Sequence, residues 1–180
     1  MPINTAGDWT TVRNLTISGQ AGVVEVPPGT YGAFNASGRN TFVFGVVNST
    51  QPTAYNLESL TLSGASTLTL AGPIVLTVRD ALTMTGGTVG AADVPPKFVL
   101  RIASNSPDAV KLSGRSVLYG IVRAPDGAVT IEGTARLRGT VTCDRLIVTG
   151  HQPQEPYHVS YTIPFLYHSR YFPTIEEITA

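Results

Sequence analysis

Charge is scarce in this chain. Only 13% of its 180 residues are Asp, Glu, Lys or Arg, about half the share usual in soluble domains. Its 12 basic and 12 acidic residues cancel to a formal net charge of zero. A protein that holds nucleic acid or an anionic membrane through its overall field needs surplus positive charge, so neither partner is expected. Cysteine is nearly absent. The single Cys143 excludes an intramolecular disulfide and any multi-cysteine metal site. No apolar run approaches the roughly 18 residues that cross a bilayer, so no membrane insertion is expected. Helical patterning is missing as well: no 11-residue window shows a clear 3.6-residue apolar period. Met1-Pro2-Ile3-Asn4-Thr5-Ala6-Gly7-Asp8 has neither a basic n-region nor an apolar h-region. No secretory signal is read there, which leaves a cytoplasmic chain and an excised domain both open.

What is abundant is β chemistry and glycine. Hydrophobic residues make up 42% of the chain and Gly numbers 18. One pentad recurs: apolar, polar, apolar, polar, glycine. It occupies residues 15–19, 60–64, 82–86, 110–114, 129–133 and 146–150. The glycines that close it are 45, 22, 28, 19 and 17 residues apart. The gap of 45 holds about two periods, and the gap of 28 holds one with an insertion. Residues 114–120 also align with 133–139, each followed by an apolar strand. Short strands separated by glycine corners, at a period near 20, build one coil of a parallel β-helix. A lone coil cannot bury its apolar face, whereas a stack can.

The fold expected is therefore all-β: a right-handed parallel β-helix of about seven coils over residues 1–150. At ~4.8 Å per coil the rod would be roughly 35 Å long. Right-handed winding follows from the usual crossover preference. Strand alternation points Leu15/Ile17, Leu60/Leu62, Leu82/Met84, Val110/Leu112, Val129/Ile131 and Leu146/Val148 inward. Leu112→Asp or Ile131→Asp should then prevent folding, and outward Thr130→Asp should cost under about 1 kcal/mol. Residues 151–180 form a linker and an aromatic tail. Six of the thirteen Tyr and Phe lie there: Tyr157, Tyr161, Phe165, Tyr167, Tyr171 and Phe172. The tail is expected to cap or flank the rod, or to dock on a partner. Residues 157–161 alternate and can run as a strand.

The best-ordered repeats resemble an uncharacterised bacterial β-helical domain of pilus-associated and anchored surface proteins, some labelled collagen-binding or "choice-of-anchor". The residues that carry the resemblance are Pro28-Gly29-Thr30-Tyr31, Leu60-Thr61-Leu62-Ser63-Gly64, Leu68-Thr69-Leu70-Ala71-Gly72-Pro73 and Leu118-Tyr119-Gly120-Ile121-Val122-Arg123-Ala124-Pro125. It spans about residues 25–150, and the tail lies outside it. The resemblance implies an extracellular structural or adhesive module and brings no catalytic motif.

β-Helices also include carbohydrate-active enzymes, which need clustered carboxylates. Here only Asp126 and Asp144 fall at similar repeat positions, where turn chemistry accounts for them. His151, His158 and His168 all follow the repeats, so neither a catalytic nor a metal site is expected, and no cofactor. An outward Thr/Ser ladder at 16/18, 61/63 and 83/85 is the kind of array that binds ice. It is broken at Lys111, Glu132 and Ile147. The better surface candidate is a basic and aromatic strip: Lys111, Arg115, Tyr119, Arg123, Arg136 and Arg138, with Tyr119 stacked on Arg138 one coil away. Its partner would be a surface polymer or a protein. Self-association is the alternative, with solenoid ends adding coils across chains as in bactofilin filaments.

Overall fold

The computed structural model describes residues 12–93, 97–150 and 159–161. Within them the chain is a parallel β-solenoid, a single sheet of fourteen strands wound on itself. In chain order these are β1 (Leu15–Ile17), β2 (Gly22–Glu25), β3 (Thr30–Ala36), β4 (Asn40–Phe44), β5 (Thr53–Leu62), β6 (Thr67–Leu70) and β7 (Ile74–Val78). They continue as β8 (Leu82–Met84), β9 (Thr88–Val89), β10 (Phe98–Ile102), β11 (Val110–Leu112), β12 (Val117–Glu132), β13 (Arg136–Thr149) and β14 (Val159–Tyr161). Every strand pair is parallel, so each coil repeats the path of the one before it.

Three faces result. Face A carries the pentads, with Leu15, Phe34, Leu60, Leu82, Val110, Val129 and Leu146 stacked in register. Face B stacks Val24, Phe42, Leu68, Val89, Leu118 and Leu137. Face C stacks Tyr55, Leu76, Leu100, Val122 and Val141, and the strand β14 pairs with β13 beyond Val141. The solenoid has about six turns rather than the seven expected. A seventh is represented by its A strand at Leu146–Val148 and by β14 on face C. The strand expected within 157–161 is thus present at Val159–Tyr161. Residues 1–11, residues 94–96, the three histidines and the rest of the tail lie outside the described residues.

The predicted inward ladder is fully buried from Leu60 through Val129 and nearly so at Ile131. The sequence reading missed one rung, Phe34/Ala36, inside the 45-residue gap. Its signal was present: Phe34-Asn35-Ala36-Ser37-Gly38 is the same pentad. Val148 departs from expectation, with 50% of its surface exposed. Among the described residues it is the last rung of face A, with Ile131 stacked on one side of it. Thr130 departs the other way. It points outward, yet it is only 5% exposed. Lys111 and Ile147 flank it in register, and the Lys111–Glu132 ion pair at 3.3 Å runs beside it.

The core is widest near the start. Phe34 and Phe42 meet edge to face at 5.1 Å, and Phe44 lies 4.7 Å from Tyr55. The Tyr55 hydroxyl accepts from the Gly45 amide at 2.8 Å and donates to the Val26 carbonyl at 3.0 Å. This ties the B–C corner to the coil beneath. By the sixth coil the filling has shrunk to residues such as Val141, Ala135 and Cys143. The B–C corner varies from coil to coil, long at residues 45–52 and 90–97, three residues at 71–73, and a single glycine at Gly120 and at Gly139 in the fifth and sixth coils. Gly139, at φ 143°, lies against the Gly120 carbonyl oxygen. A side chain there would collide with that oxygen, so glycine is required for the coils to approach.

Candidate functional site

The six residues expected to form one basic strip lie on three faces. Lys111 is on face A, committed to Glu132. Arg115 is exposed in the A–B turn of the fifth coil. Tyr119 and Arg138 are register partners on face B, and Arg136 pairs with Val117 beside them. Arg115, Tyr119, Arg136 and Arg138 are therefore brought together around the A–B turn and face B. The stacking partner expected for Tyr119 is its direct neighbour on the next coil. Arg123 is on face C, away from this group.

Arg123 has a companion that the sequence reading left out. Its register partner on the preceding coil is Arg101, and both side chains are exposed. The signal was again present: Val99-Leu100-Arg101 lies over Ile121-Val122-Arg123 as two apolar residues and an arginine. Around this pair face C shows two outward rows along the rod axis. One runs Thr30, Asn56, Thr77, Arg101, Arg123, Thr142. The other runs Ala54, Val75, Val99, Ile121, Thr140. Val75, Val99 and Ile121 remain partly open to solvent. A polar, cationic row thus lies beside an apolar row, and successive rungs within each row are one coil, ~4.8 Å, apart.

The carboxylates gather at the C–A corners. Glu58 and Asp80 are both bonded to Arg79, a brace between the second and third coils. Asp126 sits in the bulge between Ala124 and Ala128. With Asp144, Arg145, Asn105 and Ser106 it lines a shallow hollow of about 220 Å³. Among the described residues no three His, Cys, Asp or Glu side chains group in a way that could hold a metal ion.

Cys143 is buried and pairs in register with Ala124, as the repeat alignment implied. Burial pushes its thiol pKa up, and the neighbouring Asp144 charge adds to the rise. The thiolate needed for nucleophilic chemistry is correspondingly disfavoured. On face A the outward ladder runs Thr16, Asn35, Thr61, Thr83, Lys111, Thr130, Ile147, so Asn35 interrupts the Thr array as Lys111 and Ile147 do. Compared with protein-family models, curated proteins and solved structures, the chain matches none.

Proposed function

We propose that the chain is a non-enzymatic structural and adhesive module of a bacterial cell-surface or pilus-associated protein, acting outside the cell on a surface polymer or protein partner. The observation that carries this reading is the pairing of a parallel solenoid body with flat outer faces that display ordered rows of exposed side chains. The strands of each face bond to the coils on either side, so the body can hold those rows at fixed spacing. The family resemblance over residues 25–150 supports the surface setting. Retention of the labelled chain on bacterial surface polymers, without turnover of them, is the expected result. Turnover of a polysaccharide, or no retention on any surface fraction, overturns the reading.

A second reading, end-to-end self-assembly in the manner of bactofilin filaments, is favoured by the terminal rungs of face A. Leu15 and Ile17 at one end and Leu146 and Val148 at the other are less covered than the interior rungs. Electron microscopy and native mass spectrometry across concentration separate the two. Discrete particles fit the module, and ordered filaments fit self-assembly.

A further inference from the structure

Two arginines placed in register on adjacent strands repel each other. Arg101 and Arg123 are such a pair. Both are exposed, and neither forms a salt bridge with a described carboxylate. An anionic group bridging them relieves that repulsion, and guanidinium forks suit carboxylates because they bond them in bidentate fashion. Hydrogen-bonding side chains continue the row on both sides, Thr77 before the pair and Thr142 after it.

The neighbouring row sets the shape of the ligand. Val75, Val99 and Ile121 make an apolar track along the rod axis, one rung per coil. The backbone groups of these strands already bond to the coils on either side. An acidic peptide therefore cannot join the sheet as an added strand, the route that would give it main-chain affinity. A chain of sugar rings needs no such bonds. It lays apolar C–H faces on a flat track and carries its charges to one side.

The geometry points to face C of the third to fifth coils as a binding site for an acidic linear polysaccharide. The polymer lies along the rod axis, with rings on Val75, Val99 and Ile121 and carboxylates on Arg101 and Arg123. This assignment rests on the adhesive reading and gives it a ligand class.

The test immobilises the full chain and measures binding of three probes: carboxymethylcellulose, neutral hydroxyethylcellulose and poly-L-glutamate of matched length. Carboxymethylcellulose should bind, and more weakly as salt rises. Each of the other two should bind at least about ten-fold more weakly. An R101Q/R123Q double variant should lose about ten-fold or more of the carboxymethylcellulose affinity at a melting temperature that does not fall, because both side chains are exposed and their mutual repulsion is relieved. A V75T/V99T/I121T variant should lose several-fold while keeping the salt dependence. Failure of carboxymethylcellulose to bind, or parental affinity in R101Q/R123Q, overturns the assignment. Equal binding of poly-L-glutamate overturns it in favour of an acidic peptide partner. If R101Q/R123Q still adheres to bacterial surfaces as the parent does, this site is wrong and the adhesive reading stands. If the parent itself does not adhere, it is the adhesive reading that fails.

Discussion

Deleting a buried hydroxyl should have opposite effects at two places in this rod. The Tyr55 hydroxyl is fully buried and satisfied twice, by the Gly45 amide and the Val26 carbonyl. Tyr55→Phe keeps the ring and its packing against Phe44 but leaves both backbone groups without that partner. A buried group stranded in this way costs about 1–3 kcal/mol. Allowing for some relaxation, the loss should be about 2–4 kcal/mol. For a chain this size each kcal/mol moves the melting temperature by roughly 2–4 °C, so a fall of about 4–16 °C is expected. The Ser66 and Ser116 hydroxyls are buried at the A–B corners with no hydrogen-bond partner. Gly87 separates them in the corner stack, where the Thr88 amide bonds the Ser66 carbonyl and the Val117 amide bonds the Gly87 carbonyl. Ser116→Ala removes a desolvated, unpaired group and should raise stability by up to about 1 kcal/mol. Thermal melts followed by circular dichroism, backed by urea midpoints, read both variants. If Tyr55→Phe and Ser116→Ala shift the midpoint in the same direction by similar amounts, the assignment of these hydroxyls as satisfied and unsatisfied is refuted.

Two further outcomes follow from burial. Leu112→Asp or Ile131→Asp should abolish folding, and Thr130→Asp should also cost at least about 2 kcal/mol, because its site is covered; a melt of Thr130→Asp indistinguishable from the parent's would contradict that burial. Stability should decline in alkali, since burial raises the Tyr31 and Tyr55 phenols and the Cys143 thiol. The folded state keeps protons that the unfolded chain releases. The contribution is therefore whole below the ordinary values of about 8.5 for thiol and 10 for phenol, and is lost as pH rises through the folded values. Melting temperatures between pH 7 and 11 should show this fall, and Cys143→Ala should flatten its first part.

The sequence by itself determined the class of fold, the inward rungs of face A and the neighbours within the last two full coils. Tyr119 lies over Arg138, and Ala124 over Cys143, because those coils are of nearly equal length and align residue for residue. A pentad closed by glycine is a local signal, and in-or-out alternation is a property of each strand alone. What only the tertiary structure decided is which residues of different coils meet. Coils differ in length because their corners differ, from a loop after Gly45 to the bare turn at Gly139. A count along the chain therefore loses register across each insertion. That is why Arg101, displaced by the long insertion before Phe98, was not seen beside Arg123, and why Lys111 was grouped with arginines on other faces. Burial of an outward residue is likewise set by its lateral neighbours. Thr130 is covered by Lys111 and Ile147, while Val148 is half exposed as the last rung of its ladder among the described residues.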